Sequence, residues 1–268
     1  MRITAPDLGA FLTTFTRIGI AALALTPLLL RAEHRTALRT HKRALLNLGL
    51  FNSAVPFSLI CWASLHLEAG FTSLLNATTP ICTALIGLCW LRIPLSSFQV
   101  LGLATGLSGI AILTGNQLDF AKNGVGWPIL AVLCATCCYA YAGHYARIKL
   151  AGVSPLVISA GSLLASTLTL LPFVFLFAPP QAPGAGTVLS ALALGLLCTA
   201  FAFILFFDLL KRNGATAATT VTFVIPVFGI LWGSLFLQEE ITARMILGMA
   251  VSLLGTALVT NLIPRQRQ

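Results

Sequence analysis

The sequence predicts an all-α protein that threads a lipid bilayer about nine times. Three observations carry this reading. Hydrophobic residues form 57% of the chain and charged residues only 9%, against roughly 25% charge in a soluble domain, so water cannot wet the whole surface. Apolar runs recur near the length of about 20 residues that crosses a hydrocarbon core. The basic residues gather in alternate connections, the asymmetry that orients membrane helices. A mean hydropathy of +0.94 agrees.

The runs fall in order at 8–30, 44–63, 69–91, 98–115, 125–146, 155–177, 187–209, 214–237 and 243–263, read by apolar length and periodicity. The first starts after Asp7 and ends in Arg31. It has no basic region before it and no small-residue cleavage site after it, so it reads as a span and not as a cleavable leader. The second follows a basic cluster, and the third and eighth each contain a proline. The sixth is closed by APPQAPGAG at 178–186, too dense in proline and glycine to remain helical.

The net charge is +9. One set of connections holds Arg31, Arg35, Arg39, Lys42 and Arg43, then Arg92, Arg147 and Lys149, then Lys211 and Arg212, then Arg265 and Arg267. The opposite set holds Arg2, Lys122 and Arg244. The richer side is expected in the cytoplasm together with the C-terminus, with residues 1–7 outside, in a cell membrane of the bacterial inner-membrane kind. Basic charge spread through short loops in this way argues for a bilayer partner and against a nucleic-acid partner. The 7 cysteines all lie inside apolar runs, which suits helix packing better than a disulfide framework. Cys134, Cys137 and Cys138 fall short of a four-ligand zinc set, and no metal or cofactor is expected.

The chain repeats itself. Aligning Pro80 with Pro226 also pairs Leu85 with Leu231, Gly87 with Gly233, Gly102 with Gly248 and Gly109 with Gly255, without a gap. Upstream, Pro27 pairs with Pro172 one residue out of that register. Two repeats follow, 1–118 and 124–263. The second has five spans and the first has partners for only the last four, so the first copy reads as lacking its opening helix. A unit of five spans is odd in number, so its copies sit in the membrane upside down relative to one another, an arrangement found in secondary transporters.

These stretches resemble the drug/metabolite transporter superfamily, EamA type. The likeness is carried by LTTFTRIGIAALALTPLLL with Arg17 and Pro27, by AGFTSLLNATTPICTALIGLCWL with LGLATGLSGIAIL, and by GATAATTVTFVIPVFGILWGSLFLQEEIT with LGMAVSLLGTAL. It implies a ten-helix body, here without its first helix, with a central cavity between the repeats that opens alternately to each side. It also implies export of a small polar metabolite such as an amino acid or a related compound. Members usually carry a glutamate after each proline-containing helix. Glu239 and Glu240 supply it in the second copy, whereas the first copy has Arg92 and Ile93.

A transport cavity needs polar groups at membrane depth and weak points in helices. Pro80 and Pro226 are the expected helix breaks, since an interior proline removes a hydrogen bond and clashes with the preceding turn at a cost of about 3 kcal/mol. Asn76 and Thr79 precede the first, and Thr219 and Thr222 the second. All four are candidate substrate contacts, with packing kinks as the alternative. Arg17 lies well inside its span, where an arginine costs roughly 2.5–3.5 kcal/mol; it meets either an anionic solute group or a structural partner. Asn52, Ser53 and Trp62 form a second polar patch. Tyr139 is the deepest aromatic of its helix, and Trp232 faces either cavity or lipid. Neither paired intramembrane aspartates nor an HExxH motif occurs, which argues against a membrane enzyme. A non-transporting membrane subunit is the remaining alternative.

Overall fold

The computed structural model describes residues 1–115, 118–121, 124–176 and 183–260, without the side chains of residues 175 and 206–223. Lys122, the loop residues 178–182, Arg265, Arg267 and the end of the predicted second repeat lie outside the described residues, as do the side chains of Lys211 and Arg212.

Every regular element among the described residues is helical. Helix α1 spans Ala5–Leu25 and continues as a tighter turn over Thr26–Leu29. Gly9, at φ 74°, kinks α1 near its start, a conformation open to a residue without a Cβ. Helix α2 (Ala32–Thr40) carries the basic cluster and buries nothing. Helices α3 (Lys42–Gly49) and α4 (Val55–Ala63) are joined by a π-helical turn over Leu50–Ala54. Then come α5 (Ala69–Asn76), α6 (Thr79–Leu91), α7 (Ser97–Thr114), α8 (Gly126–Lys149) and α9 (Pro155–Leu176). Helix α10 (Ala185–Gly195) runs through a second π-helical turn, Leu196–Phe201, into α11 (Ala202–Leu237), and α12 is Ala243–Val259. Among the described residues, 7 helices are long and apolar enough to cross a membrane, and Val224–Leu237 and Ala243–Val259 are shorter apolar helices. The chain is an all-α polytopic membrane protein.

One boundary differs from expectation. The sequence predicts a connection at 210–213, but the backbone there is helical within α11. Asn213 and Gly214 are weak helix formers, yet no proline stands there to stop the helix, and a single interior glycine costs only about 1 kcal/mol.

The residues cluster into two compact units. The first comprises Met1–Leu65 and Ala142–Thr219, the second His66–Tyr141 and Thr220–Gln268. Each unit takes helices from both sequence repeats. In the first, Ile18, Ala21, Ala22 and Leu25 of α1 pack with Val157, Ala160 and Leu163 of α9. Gly19 lies against Thr167, and Phe11 stacks on Phe173 at 6.0 Å between centroids. Numbers rise on one helix as they fall on the other, so α1 and α9 are antiparallel.

In the second unit α7 and α12 pack closely. Gly102 lies against Gly255 and Leu258, Gly109 against Ser252, and Gly248 against Leu113. This pair is antiparallel as well. Small residues spaced three and four apart let the two backbones meet, the means by which helices pack where lipid offers no hydrophobic drive. The sequence register that equates Gly109 with Gly255 also equates Gly106 with Ser252. Exchanging the two copies therefore turns the Gly109–Ser252 contact into Gly255–Gly106, which is itself a contact. The local pairing has the two-fold symmetry that an inverted repeat requires.

Candidate functional site

The first polar centre lies inside the first unit. Arg17 is the thirteenth of the 25 residues of the first span, Ala5–Leu29, so it sits near its middle. Its Nε donates to the Thr199 hydroxyl at 2.9 Å. Its Cζ lies 4.3 Å from the centroid of the Phe57 ring, and Nη1 is 3.8 Å from the sulfur of Met1. A hydrogen bond to a charged group is worth about 1.5–3 kcal/mol, and a desolvated cation–π contact about 2 kcal/mol. Together they offset the insertion cost of the arginine, which explains how the chain tolerates it. The partners come from three places: the residues before α1, α4 and the π-turn after α10.

The two π-turns deepen this centre. In the register of the sequence repeat, Leu50–Ala54 coincides with Leu196–Ala200, so both copies carry a π-turn at the same place. Each follows a glycine packed against a facing helix. Gly49 lies against the backbone of Ser162 and Ser166, whose hydroxyl donates to the Gly49 carbonyl at 2.8 Å. Gly195 lies against Ile20 and the Arg17 carbonyl. Ser53 occupies in the first turn the place that Thr199 has in the second. Its side chain is 0% exposed and its oxygen has no hydrogen-bond partner. Thr13 and Thr14, one turn before Arg17, are also buried, with their hydroxyls beside the Cys61 thiol. Buried polar groups are normally satisfied, so the Ser53 hydroxyl stands out beside Thr199. Asn52 is half-buried in the first π-turn, while Trp62 of α4 is 39% exposed.

The second polar centre lies in the second unit at the break between α5 and α6. Pro80 stands in the first turn of α6, where its missing N–H is no loss. Thr79 donates its hydroxyl to the Asn76 carbonyl at 2.7 Å, and Thr78 does the same for Leu75 at 2.7 Å. Threonine hydroxyls satisfy the freed carbonyls here. Asn76 is half-buried, and its Oδ1 has no partner. On α8, facing α6, the Thr136 hydroxyl is 3.2 Å from the Cys82 thiol, Trp90 stacks on Tyr141 at 5.1 Å, and Tyr139 is half-buried.

Two candidates differ from expectation. Pro226 lies within α11 and the helix continues through it, so only Pro80 stands at a helix break; a proline can be carried inside a membrane helix when neighbours restore the lost bond. Trp232 is 48% exposed in an aromatic row between Phe228 (6.0 Å) and Phe236 (5.3 Å). The Thr219 and Thr222 side chains lie outside the described residues. Among the described residues no group of three or more His, Cys, Asp or Glu side chains could hold a metal ion. Sequence reasoning missed Thr199 and Phe57. The signal was present in the match of LGLFNSAVPF at 48–57 with LGLLCTAFAF at 194–203.

An all-α bundle with duplicated antiparallel helices and a half-buried arginine at mid-span suits a membrane transporter, and the family match shows a transporter and not an enzyme. The chain belongs to the EamA-like transporter family, whose profile matches residues 1–115 and again residues 126–261. It is 25% identical to the uncharacterized transporter YoaV of Bacillus subtilis, over 100% of this chain and 92% of that one. It is 26% identical to a probable terminal-alkyne amino-acid exporter of Streptantibioticus cattleyicolor, over 76% of this chain and 68% of that one. A solved crystal structure superposes with a TM-score of 0.69 at 20% identity, covering 99% of this chain and 92% of the other; that likeness speaks to the fold alone.

Proposed function

We propose that this transporter exports a small zwitterionic or weakly anionic metabolite, an amino acid or a related compound, by alternating access of its two inverted repeats, 1–118 and 124–263. The observation that carries the reading is Arg17, a cation at mid-span braced by Thr199 and Phe57. A guanidinium is the side chain best shaped to meet a carboxylate. The buried hydroxyls of Thr13, Thr14 and Ser53 supply neutral polar groups in the same unit; Asn76, Thr79 and Tyr139 are the polar candidates of the second unit. The exporter among the relatives supports the substrate class and the direction. The C-terminus is cytoplasmic by the distribution of basic residues, and the membrane is the bacterial inner membrane.

Reconstituted protein tests this with labelled alanine, L-propargylglycine, ethylamine and glucose. Uptake above that of empty vesicles is expected for a zwitterion and not for glucose. Arg17→Gln is expected to weaken that uptake at least tenfold, because a charge-assisted contact of about 1.5–3 kcal/mol is lost. Correctly inserted wild-type protein that moves none of the zwitterions defeats the proposal.

A further inference from the structure

The brace on Arg17 has a specific origin. The Thr199 hydroxyl donates to the carbonyl of Leu194, five residues back, at 2.9 Å. Threonines in ordinary helical turns bond back three or four residues, as Thr167 does to Leu163. The five-residue reach belongs to the π-turn Leu196–Phe201. A hydroxyl has one proton and two lone pairs. With its proton committed to Leu194, the Thr199 oxygen is left as an acceptor, which is what the Arg17 Nε–H needs. The wide turn thus fixes both the place and the polarity of the brace.

The matched position shows what is particular to Thr199. Ser53 holds the same place in the first π-turn, yet its oxygen has no partner. In the register that pairs Pro27 with Pro172, the residue equivalent to Arg17 is Ser162, whose hydroxyl is turned back to Ser159 at 3.0 Å. Two-fold related positions are therefore chemically unequal. One holds a cation fixed by a hydroxyl and a ring, and the other, with Phe203 in the place of Phe57, holds no charge.

We propose that Thr199 is a positioning residue for transport. It clamps Nε so that the Nη edge of Arg17 is presented to the anionic group of the solute. Bidentate recognition of a carboxylate by an arginine depends on the plane and the edge being fixed. Phe57 sets the plane and Thr199 sets the edge. A zwitterionic solute then binds with its carboxylate at the second copy's π-turn. This last step rests on the function proposed above, whereas the clamp does not.

The test compares Thr199→Val, Thr199→Ala and Thr199→Ser with the wild type in two readouts. The first needs no solute: phenylglyoxal modification of Arg17, followed by mass spectrometry on purified protein. Loss of the hydroxyl in the Val and Ala variants is expected to raise the modification rate about threefold or more, and Ser to restore the wild-type rate. The second is uptake of whichever labelled amino acid the wild type moves. Val and Ala are expected to raise KM roughly tenfold, the worth of one hydrogen bond to a charged group, with the maximal rate changed less than twofold. Thr169→Val, whose hydroxyl is bonded to Ala165 at 2.9 Å, is expected to change neither. Unchanged modification in both hydroxyl-free variants overturns the clamp. So does a fall in maximal rate at constant KM that Ser fails to rescue, since that is a packing effect. Faster modification in a protein that moves no amino acid leaves the clamp standing and removes the function proposed for it.

Discussion

Glu239 shows how one carboxylate organises a helix start. Its two oxygens accept from the backbone N–H groups of Ala69 and Gly70 at 2.8 and 3.1 Å. These are among the N–H groups that α5 leaves without internal partners, and a negative charge there is favoured by the helix dipole. Its approach is set one residue earlier. Gln238 adopts φ 55° after α11, and the Glu239 N–H bonds back to Gly233 at 3.1 Å. The first copy repeats that backbone, with Arg92 at φ 53° and the Ile93 N–H bonded to Gly87 at 3.1 Å. There, however, the following residue is isoleucine, which has no acceptor. The copy whose helix start is capped, at Ala69, has a break before it; the matching place near Ala215 lies inside the continuous α11. Glu239→Gln, keeping shape but losing charge, is expected to cost about 1 kcal/mol and to lower the midpoint of thermal unfolding in detergent by a few degrees. An unchanged midpoint counts against a capping role.

At the level of helices, the α7–α12 seam depends on the absence of side chains. A Cβ at Gly109 would lie 2.6 Å from the Ser252 nitrogen, and one at Gly102 2.8 Å from the Gly255 carbonyl oxygen. Both obstacles are backbone, which cannot rotate away. Gly109→Val is expected to cost about 1–3 kcal/mol through forced separation of the helices, read as a lower unfolding midpoint. Gly143 on α8 is the opposite case, because a Cβ added there would have nothing within 4 Å. Gly143→Ala is therefore expected to leave stability unchanged or raise it by up to about 1 kcal/mol through helix propensity. The seam glycines were legible in the sequence, because shared glycines at Gly102/Gly248 and Gly109/Gly255 stand out against a leucine and alanine background. The π-turns were not. One extra residue in a helical turn changes neither apolar length nor composition, and only the aligned residues around Ser53 and Thr199 betray it. Pro80 and Pro226 look alike in sequence but act differently, because a proline terminates a helix only where the neighbouring turn can release it.

For the whole molecule, charge distribution and duplication predict that equivalent connections face opposite sides of the bilayer. Single reporters Pro94→Cys and Glu240→Cys, at matching places of the connections after α6 and after α11, in a background without other cysteines, are expected to react with an impermeant maleimide from opposite faces. Labelling of both from one face would overturn the inverted arrangement. The membrane class and number of apolar runs could be read from composition, because lipid imposes length and hydropathy on each span independently. The partition into two packed units could not, since packing draws helices from both repeats and depends on which small residues face one another. Arg17 was legible as a cost that needed explaining; its partners were not, because Phe57 and Thr199 are ordinary residues until the fold brings them to it.

The matched π-turns also bear on descent. Each is a one-residue surplus in an otherwise ordinary helix, and the same surplus falls at Leu50–Ala54 and Leu196–Phe201 within stretches that still share their flanking leucines, glycine, alanine and phenylalanine. Two separate insertions would have had to strike one register twice. A single insertion in the ancestral half-length gene, copied afterwards, accounts for both, and the arginine clamp is where the twins have since diverged.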